Sequence, residues 1–142
     1  MLPRTNIRVR FSETDALGHV NNTSYFIYFE EARTDLFRYF VDDLDTSKWN
    51  LILASTSCDY KKQARFGQEL YVTTEVTKIG NTSFTLYHEI RDAKDESIIA
   101  TGTAVLVHYD FSTERPVPLS DQQRKKLSSL MKEQSLPTCS DN

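Results

Sequence analysis

A chain of 142 residues with 17 basic and 20 acidic side chains carries a formal charge of −3, a balance that gives no basis for a general nucleic-acid or anionic-membrane binder. One domain of this length buries on the order of two thirds of its unfolded surface without staples, and two cysteines, Cys58 and Cys139, support neither a disulfide framework nor a four-ligand zinc site. No apolar run approaches the roughly 20 residues of a membrane span, and Met1 to Arg10 lacks the apolar centre of a signal peptide, so a cytoplasmic location is expected.

In chain order, Ile7, Val9 and Phe11 alternate with Arg8 and Arg10, which predicts a strand with one buried face. It feeds a polar turn, DALGHVNN over residues 15–22, in which Gly18 permits a sharp bend and Asn21 and Asn22 are residues that cap helices. A helix is expected to begin there. Tyr25, Phe26, Phe29, Ala32, Leu36, Phe37 and Phe40 follow at i, i+3, i+4 spacing, a stripe so broad that the helix needs wrapping.

After a polar turn from Asp42 to Lys48, Leu51 to Tyr60 reads as a strand with Ile52, Ala54, Thr56, Cys58 and Tyr60 on one side, and a basic loop follows from Lys61 to Gln68. Leu70, Val72, Thr74 and Val76 form the inward set of the next strand, and Gly80-Asn81 marks a tight hairpin with a left-handed residue. Its second arm puts Phe84, Leu86, His88 and Ile90 on one face. After a turn from Asp92 to Glu96, Ile98 to Tyr109 is apolar on both sides, as expected of a mid-sheet strand covered on both faces. Glu114 to Pro118 ends the sheet. Ser120 to Lys132 reads as a short peripheral helix, with Leu127, Leu130 and Met131 on one side and Arg124, Lys125 and Lys126 on another. The expected architecture is α+β: a five-stranded antiparallel sheet, its last four strands in meander order, wrapped around a long central helix in one domain over residues 1–134, with a polar tail at 135–142.

Four segments carry a family resemblance over nearly the whole chain: RVRFSETDALGHVNN, YFIYFEEAR, DYKKQARFGQELYV and ATGTAVLVHYD. Together they resemble the hotdog-fold acyl-CoA thioesterases of the 4-hydroxybenzoyl-CoA thioesterase family, in the branch with a GHVNN-type turn. The resemblance implies that the second acidic position of the turn, Asp15, is the catalytic carboxylate, and that a backbone N–H at the helix start, near Asn22, polarises the thioester carbonyl. It also implies hydrolysis of acyl-CoA without cofactor or metal, and a homodimer or homotetramer in which a second subunit closes the sheet edge and the cleft. Glu13 stands where many relatives have Asp. Asn22 replaces the aromatic of the 4-hydroxybenzoyl enzyme, so that particular substrate does not follow.

The chemistry agrees with these residue types. Thioester cleavage needs a carboxylate that attacks, or that takes a proton from water, and a donor aimed at the developing oxyanion. Asp15 could equally do no more than complement the helix dipole. Gly18, His19, Val20, Asn21 and Asn22 line the expected substrate side of the turn; His19 could instead be a loop histidine bonded to backbone, and the asparagines could simply cap. Lys61, Lys62 and Arg65 form the basic cluster suited to coenzyme A phosphates, or a solvated loop; Lys61 and Arg65 are the expected contacts. Glu30 and Glu31 read as solvated or Arg33-paired, and His88 and His108 as structural. Three other functions fit the same segments: a thioesterase for acyl groups on acyl carrier protein, a non-catalytic acyl-CoA sensing module and, less well, a hotdog dehydratase.

Overall fold

The computed structural model describes residues 3–40 and 50–131, except the side chains of residues 39 and 40. The turn expected at Asp42 to Lys48, the packing of Phe40 and the polar tail lie outside the described residues. Strand β1 (Arg4–Arg8) and a 3-10 turn (Phe11–Glu13) precede helix α1 (Ser24–Phe40). Strands β2 (Leu51–Tyr60), β3 (Glu69–Ile79), β4 (Ser83–Asp92), β5 (Ile98–Asp110) and the two-residue β6 (Arg115–Pro116) follow, and then helix α2 (Asp121–Ser128).

The sheet is antiparallel, in the order β1-β3-β4-β5-β2, with β6 beside β5. β3, β4 and β5 form the expected meander, but β2 does not precede β3 in it. The chain leaves β2 at one edge, and the 61–68 loop carries it back to β3 near the other. A bulge between Leu53 and Ser55 also splits the alternation expected along β2. Thr56, Cys58 and Tyr60 pair with Ala104, Gly102 and Ala100 on the helix side, whereas Leu53, not Ile52, pairs with Leu106. β1 ends sooner than the alternation suggests. The Arg10–Glu13 capping box turns the chain out of the sheet, leaving Phe11 78% exposed against Phe66.

The inward residues of β3 and β4 are all buried, as their period of two requires. Tyr25, Tyr28, Phe29, Ala32 and Leu36 of α1 are buried as well, with Phe26 and Phe37 half-buried on one flank and Glu30, Glu31 and Arg38 exposed. Close approach depends on Gly102: a Cβ there would lie 2.4 Å from the Phe29 ring and 2.7 Å from the Ser57 carbonyl oxygen. Phe29 also stacks on His88, centroids 5.1 Å apart. Both faces of β5 were expected to be covered, yet Thr103 is exposed and Val105 and Val107 are half-buried, because both helices pack on one face of the sheet.

The β3–β4 hairpin is present, but neither Gly80 nor Asn81 takes a positive φ. Gly80 N–H instead bonds Ser83 O at 2.7 Å across a wider turn, of the kind built without left-handed residues. Helix α2 is less peripheral than expected: Leu127 and Leu130 are buried against Leu36, Val76 and Phe84, closing one end of the core. Ser120 caps it reciprocally with Gln123, and Arg124 donates to the Gly80 and Asn81 carbonyls at 2.9 and 3.1 Å. Arg124 therefore anchors the hairpin. His108 is structural too, its Nδ1 3.3 Å from Pro118 O.

Candidate active site

The expected turn and the expected basic loop are laced into one unit. Val20 N–H bonds Ala64 O at 2.8 Å, Phe66 N–H bonds Gly18 O at 3.1 Å, and His19 bridges Arg65 in antiparallel register. Within the turn, Thr14 bridges Val20 and Asp15 N–H bonds His19 O at 2.8 Å. Gly18 sits at φ 79°, the left-handed conformation glycine adopts at little cost.

Asp15 lies at the surface. Its Oδ1 accepts from Leu17 N–H at 2.8 Å and His19 N–H at 3.2 Å, while Oδ2 has no hydrogen bond among the described residues. One oxygen is thus oriented and the other keeps its lone pairs. The turn into α1 is closed by Asn21 instead, whose Oδ1 accepts from Thr23 N–H at 3.0 Å and whose carbonyl accepts from Ser24 N–H at 2.8 Å. The helix consequently begins at Ser24, later than the asparagines suggested.

From Val20 to Ser24 the backbone donors are nearly all spent: Val20 on Ala64, Asn21 on Glu13 O at 2.8 Å, Thr23 and Ser24 on Asn21. Asn22 N–H alone in this run has no partner among the described residues. Asn22 also borders a cleft of about 160 Å³ lined by Tyr25, Tyr60, Lys61, Lys62 and Gln63. The fold therefore brings Asn22 and Lys61 together, with Lys62 held by a 3.1 Å bond to Ser97 Oγ. Asp15 and Arg65 do not line that cleft. Tyr25 and Tyr60 were not foreseen as its walls; the signal was the aromatic at the end of β2, directly before the basic run.

Glu13 is a second residue whose place local pattern could not supply. It is 5% exposed and accepts from Arg10 N–H at 2.9 Å, from the Arg10 guanidinium at 2.7 Å and from the Tyr28 hydroxyl at 2.9 Å. Burial alone would raise its carboxyl, but the Arg10 and Tyr28 bonds outweigh that and hold it below the usual range. Burial and the bond to Glu13 push the Tyr28 hydroxyl well up. Glu13 thus anchors the turn to α1 and leaves Asp15 as the exposed carboxylate.

His88 is fully buried, its Nδ1 2.9 Å from Thr74 Oγ1. Burial, then the charge of Arg33, lowers its pKa to about 3. Among the described residues no group of three or more His, Cys, Asp or Glu side chains could hold a metal ion.

Comparison with known proteins draws these features together. The profile of the thioesterase-like superfamily matches residues 9–127. The chain belongs to that superfamily. It has the hotdog fold and is a thioesterase by family. A predicted thioesterase from Bacillus stearothermophilus superposes with a TM-score of 0.86 at 36% identity, covering 94% of this chain and 99% of that one. A thioesterase from Thermus thermophilus, complexed with coenzyme A and Zn, superposes at 0.81 with 29% identity, covering 91% and 94%. The long-chain acyl-CoA thioesterase FadM of Escherichia coli is 24% identical across 91% of this chain and 99% of its own length.

Proposed function

We propose that this thioesterase hydrolyses an acyl-CoA to the free carboxylic acid and CoA, with Asp15 as nucleophile or general base and the Asn22 N–H polarising the thioester carbonyl. The observation that carries this is the unspent Asn22 N–H at the head of α1, in the same laced unit as a carboxylate with one oriented and one open oxygen. The positive end of the helix dipole favours both the ionised carboxylate and the developing oxyanion. Water supplies the hydroxyl of the acid, directly or by cleaving an acyl-aspartyl intermediate, and the sulfur leaves as the CoA thiol. Named activities of relatives support the substrate class: FadM is a long-chain acyl-CoA thioesterase, and the Thermus enzyme binds coenzyme A.

Lys61 and Arg65 hold the CoA phosphates in this scheme, and His19 and Val20 present the turn to the substrate. A second copy of the chain completes the cleft. Ten-residue β2 is a sheet edge with most of its residues exposed, a length of unpaired backbone that proteins ordinarily cover. The half-buried free thiol of Cys58 suits a cytoplasmic enzyme.

The test is turnover across acyl-CoA chain lengths by the wild-type protein and by Asp15→Asn. Asn keeps size and much of the hydrogen bonding, so kcat falls at least about 100-fold with melting temperature and analogue affinity retained. Near-wild-type turnover in a folded Asp15→Asn protein removes Asp15 from the chemistry, and binding without turnover by the wild type returns the sensing-module function.

A further inference from the structure

We infer that Tyr60 is a positioning residue of the thioester site, its hydroxyl locking the backbone that aims the Asn22 N–H. This rests on the assignment of that N–H as the oxyanion donor. The peptide joining Asn22 to Thr23 is clamped at both ends: its carbonyl accepts from the Tyr60 hydroxyl at 3.1 Å, and its N–H donates to Asn21 Oδ1 at 3.0 Å. The preceding peptide is held through its carbonyl, which accepts from Ser24 N–H at 2.8 Å, so among the described residues its Asn22 N–H is the one group of the two peptides without a partner. The two peptides share the Asn22 Cα, so holding the second limits how far the first can shift. The Tyr60 hydroxyl is therefore the tie between that N–H and the sheet.

Tyr60 is well supported for this task. It closes β2 opposite Ala100, and the next two N–H groups, of Lys61 and Lys62, both donate to Ile99 O at 2.8 and 3.0 Å. Its ring packs edge-on against Tyr25 at 5.2 Å, and the Tyr25 hydroxyl in turn accepts from Ala64 N–H. Side chain and backbone are thus fixed before the hydroxyl reaches Asn22, 38 residues earlier in sequence. Tyr60 also adjoins Lys61 at the cleft. A donor fixed in advance stabilises charge without reorganising during the reaction.

Tyr60→Phe keeps the ring and its packing on Tyr25 and removes the tie together with the hydroxyl's contact to the Cys58 thiol. The expected result is a kcat about tenfold lower with KM unchanged, short of the roughly 100-fold that losing an oxyanion donor costs, and faster hydrogen exchange at the Thr23 amide. A protein carrying 3-fluorotyrosine at position 60, which keeps the donor, retains kcat within about twofold. An unchanged kcat in Tyr60→Phe, or an equal loss in the fluorotyrosine protein, overturns the inference and leaves the thioesterase assignment standing. A wild-type protein inactive on every acyl-CoA overturns both.

Discussion

Tyr28, on the buried face of α1, donates to Glu13 Oε1 at 2.9 Å, so the first carboxylate of the Glu13–Asp15 pair is bonded into the core while the second stays at the surface. Two acidic residues two positions apart thereby take opposite roles. Tyr28→Phe removes a hydrogen bond to a charged acceptor and should cost about 1.5–3 kcal/mol of stability, read by urea denaturation. Glu13→Gln should do more harm, since Arg10 loses its ion pair as well.

Two glycine substitutions should separate crowding from backbone strain. Gly102→Ala drives a methyl into the Phe29 ring, an overpacking that should cost about 1–3 kcal/mol or more. At Gly18 a Cβ would meet nothing within 4 Å, but φ is positive, so Gly18→Ala should cost on the order of 1 kcal/mol and act mainly on turnover. Comparing denaturation midpoints with kcat for the two variants checks the distinction.

Stability should depend on pH through His88. Its folded pKa, about 3, lies below the unfolded value near 6.5. Between those values the unfolded chain holds a proton that the native state does not, so stability is complete above about pH 6.5 and declines as pH falls, by at most about 1.4 kcal/mol per pH unit. Glu13, with a depressed folded pKa, adds a further loss below its unfolded value of about 4.3. Urea midpoints from pH 5 to 7.5 should slope for the wild type and flatten for His88→Gln.

Replacing Lys61 and Arg65 together by Ala should raise KM for acyl-CoA several-fold, with a smaller effect on a truncated thioester that lacks the nucleotide. Equal effects on the two substrates would place the phosphates elsewhere. Among the described residues Arg65 meets the turn through its backbone bridge to His19 and does not line the cleft.

Much of this molecule was legible because its signals are local. Period two in β3 and β4 and the 3.6-residue stripe of α1 are imposed by backbone geometry, and the inward residues of both strands, with Tyr25, Phe29, Ala32 and Leu36 of α1, are buried as patterned. The polar turn with its glycine and asparagines was equally readable, since bending and capping are short-range demands. Tertiary structure decided what depends on partners distant in sequence. The position of β2 beside β5 and the bulge at Leu53 follow from strand pairing, which alternation alone cannot choose. The descent of Glu13 into the core needs Tyr28, 15 residues later, and the pinning of Asn22 needs Tyr60, 38 residues later. Composition named a carboxylate and a helix start; only the folded chain left Asn22 N–H unspent, because its neighbours' donors found acceptors on Ala64, Glu13 and Asn21.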